Sequence, residues 1–377
     1  MKNIVIIGAN DFQLPLILEA KKRGYITHVF AWECGDVGEK EADYFYPISI
    51  VDIDDIFEVC LKIKPDAVCT IASDLASITV NELARRLNLP CNDEECVKNT
   101  TNKYAMRQTL KKANIPTPSF KVATSSKETI DFNYPVIIKP TDRSGSRGIF
   151  KVENETQLAN SIQEAIDYSF EKKVIIEEYI DGPEYSVEAI AFNGEYHILA
   201  FTKKFTTGAP HFIETAHMQP SDLDEKTKLE ITEQLLKAFK ALNIQNSAIH
   251  GEFRMSKDGM RIIEIGARMG GDCIGSHLTP ISTGYNFVGY VLDIALGIRP
   301  ILTQLTSPKT AYIHFIFNDE DMNLLENIKQ NHPTWIEKIY IDEHPSDKII
   351  DSSSRHGYFI LKCDHQDQLK GLGIYEK

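Results

Sequence analysis

From residue 1 to about 95, short apolar runs alternate with stretches of helical periodicity. The runs are Ile4 to Ile7, Thr27 to Ala31 and Ala67 to Ile71, and helices are predicted near Gln13 to Lys22, near Asp52 to Ile63 and through Leu87. Strand and helix in strict alternation predict a doubly wound parallel α/β unit. Its first turn, Gly8-Ala9-Asn10-Asp11-Phe12-Gln13, lacks the Gly-x-Gly-x-x-Gly spacing that lets a backbone approach a pyrophosphate. A structural βα turn is expected there, which argues against a nicotinamide oxidoreductase built on this unit.

A helix near Thr101 to Ala113 is predicted to stop at Ile115-Pro116-Thr117-Pro118. Residues from about 119 to 182 then read as a second unit. It holds the strand Pro135 to Lys139, a Ser/Gly/Arg loop, the strand Ile149 to Val152, a helix near Glu155 to Ser169 and the strand Val174 to Ile180. Tyr185 to Phe192 and Glu195 to Phe205 flank Asn193-Gly194, a strong hairpin signal.

A helix near Glu225 to Leu242 precedes another predicted hairpin, His250 to Arg268. If Lys257-Asp258-Gly259 forms a three-residue turn with Gly259 left-handed, Glu252 falls opposite Glu264 on a polar face shared with His250, Arg254 and Gly266. Phe253, Met255, Ile263 and Ile265 then take the other face. Two-residue or four-residue loops would put the glutamates on opposite faces. Farther on, Ala311 to Phe317 and Tyr358 to Leu361 look like strands without evident chemistry.

Composition narrows the function. The 377 residues suffice for two or three domains of ordinary globular make-up. A net charge of −13 argues against a nucleic-acid surface, so the cluster Lys139, Arg143 and Arg147 reads as a pocket for a small anion. The seven cysteines are scattered, with no Cys-x-x-Cys spacing, which fits reduced thiols without a zinc site or disulfide framework. No leader pattern opens the chain and no run approaches the length of a membrane span. The expectation is a cytoplasmic protein that binds neither nucleic acid nor membrane.

Three segments carry candidate chemistry. Lys139 ends an apolar strand and is followed by Pro140-Thr141-Asp142-Arg143-Ser144-Gly145-Ser146-Arg147-Gly148. A loop of small residues can turn amides toward phosphate oxygens while the lysine supplies a compact charge; an exposed turn is the alternative, since P-loop spacing is absent. Downstream, Glu177-Glu178-Tyr179-Ile180-Asp181-Gly182-Pro183-Glu184 can offer backbone groups to an adenine edge and a carboxylate to ribose hydroxyls. Glu252 and Glu264 suit a divalent cation that carries phosphate, with a solvated charged face as the alternative.

In this order the segments resemble the ATP-grasp superfamily of carboxylate-amine ligases, over about residues 1 to 300. The resemblance implies an α/β chain with a Rossmann-like N-terminal domain followed by the two-lobed α+β ATP-grasp fold. The expected domains are 1–100 (Rossmann-like), 101–182 (small lid with connecting helix), 183–305 (large domain with metal site) and 306–377 (C-terminal α+β extension). It implies that Lys103 and Lys139 contact the nucleotide phosphates and that Arg143, Ser144, Gly145, Ser146 and Gly148 belong to the flexible cover. Glu177, Glu178, Tyr179 and Ile180 correspond to the adenine hinge, with the Glu178 carbonyl and Ile180 N–H reading the base, and Glu184 to the ribose ligand. Glu252 and Glu264 correspond to magnesium ligands, and Arg268 to the arginine that steadies the acyl phosphate and the tetrahedral intermediate.

The implied cofactors are ATP and one or two Mg²⁺ ions, with Mn²⁺ able to substitute. The implied reaction joins a small carboxylate to an amine, releasing ADP and phosphate, in a chain that could form a homodimer. Many relatives have asparagine where this chain has Gly266, which removes one side-chain ligand of the second ion. Alternatives are activation of bicarbonate, in the manner of carbamoyl phosphate synthase or biotin carboxylase, and a nucleotide-binding module without catalysis. Lys203, His211, Glu214 and His217 could border the substrates, although a surface or structural role is the plainer reading of each. Asp272 could hold an ammonium group or cap the next helix. Glu188 could orient Lys139 or face solvent, and Ser352 to Gly357 reads as a polar turn.

Overall fold

The computed structural model describes residues 1–209, 212–342 and 350–372, in which the strands form three sheets. The first comprises β1 (Asn3–Ile7), β2 (Ile26–Phe30), β3 (Tyr44–Tyr46) and β4 (Ala67–Cys69), all parallel in the order β3-β2-β1-β4. Ile4 to Ile7 are wholly buried, as befits a parallel strand covered on both faces. The first βα turn is structural. Gly8 has φ +104, and the Gln13 side chain fills the space beneath it, accepting from the Ile71 N–H at 3.0 Å and from the Thr70 hydroxyl at 3.2 Å. Periodicity alone missed β3 and the short helix Val37–Glu41.

The second sheet comprises β5 (Phe120–Ala123), β6 (Val136–Pro140), β7 (Phe150–Val152) and β8 (Val174–Glu178), antiparallel in the order β5-β8-β6-β7. Helix Glu155–Tyr168 packs Leu158, Ile162 and Ala165 against Val136, Ile138 and Ile176 of this sheet. The helix expected near Thr101 to Ala113 is present as Lys103–Lys112, and the helical run extends upstream through Glu94–Thr101. Asn102 breaks it with an extended backbone, and its side chain accepts from the Ala105 N–H to cap the second helix. Lys103 thereby opens a helix, and its N–H donates to the Thr141 carbonyl at 2.9 Å, beside the glycine-rich loop.

The third sheet is antiparallel and has eight strands, in the order β13-β12-β9-β10-β11-β14-β16-β15. These are β9 (Glu184–Phe192), β10 (Glu195–Thr206), β11 (Glu214–Gln219), β12 (Asn246–Ser256), β13 (Gly259–Gly266), β14 (Thr310–Ile316), β15 (Ile336–Ile341) and β16 (Gly357–Cys363). Asn193 and Gly194 both have positive φ, 51° and 75°, as a two-residue mirror-image turn requires. Helix Glu225–Ala241 covers one face with Ile231, Leu235, Ala238 and Phe239. No described helix is long and apolar enough to cross a membrane.

The β12–β13 hairpin departs from expectation in an instructive way. Ser256 pairs with Gly259, so the connection is the two residues Lys257 and Asp258 rather than a three-residue turn. A regular ladder from that turn would set the two glutamates on opposite faces. The register instead shifts, with Phe253 opposite Ile262 and Glu252 opposite Glu264. Ile263 is the extra residue of a β-bulge. It leaves the apolar face assigned to it and lines the same cleft as the glutamates.

Candidate active site

A cleft of about 580 Å³ opens where the three sheets meet. The parallel sheet contributes Asn10, Phe12, Trp32 and Asp74, the small sheet Lys139 and residues 177 to 180, and the large sheet Lys204, Glu252 and Glu264.

At one end of the cleft, Lys139 is almost fully buried, with its Nζ 2.7 Å from Glu177 Oε2. Burial lowers the Lys139 pKa, an effect that the Glu177 carboxylate offsets only in part. Glu177 also faces Arg107, whose Nε lies 2.6 Å from Oε1 without hydrogen-bond alignment. Lys103 spans the cleft from the other side, donating to the Arg143 carbonyl at 2.8 Å and lying 3.0 Å from Glu264. Arg143 stacks on Phe170 at 3.7 Å and donates to the Tyr168 carbonyl at 2.6 Å, which anchors one end of the loop. The Ile180 N–H has no protein partner among the described residues, while the Ile180 carbonyl accepts from Arg254 at 3.1 Å.

Glu252 and Glu264 form the carboxylate wall. Lys204 is an ammonium shared by Glu252, by Glu184 at 3.2 Å and by Glu214 at 3.8 Å. Burial opposes that charge, but Glu252, Glu184 and Glu214 outweigh it and hold the Lys204 pKa well above its ordinary value. His250 bridges Glu188 and Glu252. Burial disfavours its protonation, yet the two carboxylates raise its pKa to about 9. Burial would raise the Glu252 pKa, but Lys204 and His250 hold it well below the carboxylate range. Oε2 of Glu252 and Oε1 of Glu264 have no protein partner among the described residues. Two carboxylate oxygens open to a cleft fit a hard divalent cation, and these two side chains could hold one.

Arg268 makes a bidentate pair with Asp74, at 2.6 and 2.9 Å. Burial alone would raise the Asp74 pKa, but the guanidinium overrides it and the pKa is lowered. Gly266 leaves room for this pair, since a Cβ there would lie 3.3 Å from both Arg268 Nε and Asp74 Oδ1.

At the far end lies a second polar group. Arg355 donates to Glu214 at 2.8 Å and to Asp272 at 3.0 Å, and the Ser352 hydroxyl also donates to Glu214 at 2.8 Å. His217 is 1% exposed, 3.5 Å from Asp272, and its pKa is lowered by burial. Arg355 and His217 together override burial to keep Asp272 below its ordinary value.

Residues 132–276 match a family model described as the ATP-grasp domain. Over that span the chain is similar to the ATP-grasp domain. It is 27% identical over 267 residues to an uncharacterised protein of Sinorhizobium fredii, a match covering 68% of this chain and 54% of that protein. It is 28% identical over 247 residues to alanine–anticapsin ligase of Bacillus subtilis, covering 58% of this chain and 52% of the relative. The chain thus spans about half the length of the curated relatives it matches. The structure of L-amino acid ligase from Bacillus licheniformis superposes with a TM-score of 0.84 at 23% identity, covering 98% of this chain and 95% of that one.

The cleft gathers most of the residues singled out in the sequence. Lys103, Lys139, Arg143, Ser144, Gly145, Ser146, Glu177 to Ile180, Glu184, Glu252, Glu264, Arg268, His217 and Asp272 all line it. Four expectations need correction. Gly148 lies outside the lining, tucked against Tyr168 at φ +71. Lys203 also lies outside it, 2.5 Å from Asp222, because it alternates with Lys204 along β10. Asp272 caps no helix; its carboxylate is taken by Arg355 and His217. Glu188 is wholly buried against His250 rather than beside Lys139 or in solvent. His211 falls outside the described residues.

Sequence reasoning missed Arg107, Lys204, Asp74 and Arg355 as parts of this site. Ser352 to Gly357, read as a polar turn, in fact delivers Ser352 to the cleft and Arg355 to Glu214 and Asp272. A basic residue inside an apolar helix face, as Arg107 is beside Met106 and Leu110, was the one available signal.

Proposed function

We propose that the chain is an ATP-dependent carboxylate–amine ligase that forms an amide bond through an acyl phosphate, with amino acids as its substrates. The observation that carries this reading is the convergence in one cleft of two lysines, two facing carboxylates and Arg268. The curated relative named alanine–anticapsin ligase supports the amino-acid class.

In this reading Glu178 and Ile180 meet the adenine through backbone groups, Glu184 meets the ribose, and Lys103 and Lys139 meet the phosphates under the loop from Arg143 to Gly148. Glu252 and Glu264 would hold one or two magnesium ions, with manganese able to substitute, and a bound ion would neutralise charge as the γ-phosphoryl group leaves ADP. The substrate carboxylate attacks the γ-phosphorus, forming the acyl phosphate and ADP. The amine then attacks the acyl carbon, loses a proton, and inorganic phosphate departs as the C–O bond breaks. Arg268, held by Asp74, faces the developing oxyanion, where loss of one donor typically costs about 100-fold to 1000-fold in rate.

The test is a screen of amino-acid pairs for phosphate release, followed by oxygen-18 labelling of the substrate carboxylate in any active pair. Label is expected in the released phosphate. Label confined to the amide product rejects the acyl phosphate, and turnover dependent on bicarbonate with no second amine would favour the bicarbonate reaction instead.

A further inference from the structure

We infer that Arg107 is a positioning residue that sets both the phosphate-facing lysine and the cation-facing hairpin from one buried guanidinium. The inference rests on the ligase reading above and adds to it a residue that touches neither nucleotide nor cation.

Arg107 is fully buried on helix Lys103–Lys112. Two of its nitrogens point to two different elements. Nε faces Glu177 Oε1 at 2.6 Å, and Glu177 Oε2 lies 2.7 Å from Lys139 Nζ. Nη2 donates to the carbonyl of Ile263, the bulged residue immediately before Glu264. The preceding residue, Met106, takes the other flank, its sulfur accepting from the Ile265 N–H at 3.3 Å. Two successive helix residues therefore bracket Glu264.

The bulge is what makes this matter. A bulged residue drops out of the ladder, and a buried carbonyl left unbonded is costly. Regular pairing from the Lys257-Asp258 turn would restore the ladder but would turn Glu264 away from Glu252. Arg107 gives the Ile263 carbonyl a donor only in the bulged register, so it favours the arrangement in which both glutamates face the cleft. The same guanidinium balances the second oxygen of Glu177, whose first oxygen fixes Lys139. A rigid fork can serve acceptors on two elements at once; a single ammonium cannot.

The test compares the wild-type protein with Arg107→Lys and with the double variant Arg107→Met, Glu177→Gln, which removes both buried charges together. Binding of ATP and ADP is measured in EDTA and across a magnesium titration, with heat-induced unfolding followed in parallel. For both variants the magnesium concentration that half-saturates the nucleotide response is expected to rise about 10-fold to 100-fold, the usual effect of losing a group that orients a metal ligand. Nucleotide binding in EDTA, which reads the Lys139 side, is expected to weaken in the double variant, where Lys139 loses its carboxylate, and to stay near the wild-type value in the lysine variant, whose ammonium still balances Glu177. An unchanged magnesium response in a folded variant overturns the inference. So does a fall in both responses in proportion to lost heat stability, and so does failure of both variants to fold, since Arg107 is then a folding determinant. Absence of any nucleotide response in the wild type would instead sink the ligase reading.

Discussion

Asp74 grips Arg268 through both carboxylate oxygens, at 2.6 and 2.9 Å, across 194 residues of sequence. The carboxylate opens helix Asp74–Arg86 of the parallel-sheet unit, which Ser73 caps by accepting from the Ala76 N–H. The orientation of the arginine is therefore set by a different unit from the strand that leads into it. Asp74→Asn weakens the fork while preserving shape. Turnover is expected to fall about 10-fold to 100-fold with nucleotide affinity little changed; phosphate release and nucleotide binding, measured side by side, check the split.

Gly266 yields a prediction of unusual sign. An asparagine here would add a possible cation ligand, but its Cβ would press on Arg268 and Asp74 at 3.3 Å. Gly266→Asn is expected to lower turnover, and Gly266→Ala, which adds only the Cβ, to reproduce most of that loss. Full activity in the alanine variant would show that the space is not reserved for the arginine pair.

Lys204 neutralises Glu184, Glu214 and Glu252 together. Lys204→Met removes one cation from three partly buried carboxylates that keep Arg254, Arg355 and His250, and a loss of about 1 to 3 kcal/mol in urea unfolding is expected. Excess magnesium should restore part of it, because a divalent ion can answer the same charges. The adjacent Lys203, paired with a half-exposed Asp222, is the control: Lys203→Met is expected to cost under about 1 kcal/mol.

His277 sets an acid limit. Burial, reinforced by Lys338, lowers its pKa to about 4. The unfolded chain binds this proton near pH 6.5, so the native state is favoured most above that value, and the contribution drains away as pH falls from 6.5 toward 4. The full shift corresponds to roughly 3 kcal/mol. Unfolding free energies at pH 7.5 and pH 5 should differ less in His277→Gln than in the wild type; equal differences would show that other groups carry the acid lability.

The parallel sheet was legible because buried strands are near-continuous apolar runs, as Ile4 to Ile7 are. The order lysine strand, small-residue loop, glutamate-rich strand and paired glutamates was legible because each type has its own local chemistry. Strand phase was not. A bulge changes face parity without changing composition, so the turn of the β12–β13 hairpin was misjudged even though its glutamates do meet. A similar shift between Ile198 and Ala200 resets β10 and hides which of Lys203 and Lys204 faces the cleft. Arg355 left no local trace, since its carboxylate partners lie 141 and 83 residues away.

The distant origin of Arg355 also bears on how the protein is made. Glu214 and Asp272 emerge from the ribosome well before the residue that neutralises them, and a growing chain that has reached β13 already carries both glutamates of the hairpin. Until Arg355 follows, Glu214 has Lys204 at 3.8 Å and Asp272 has His217 at 3.5 Å, but neither has the guanidinium that joins them. That end of the cleft is therefore completed only after both of its carboxylates have been made.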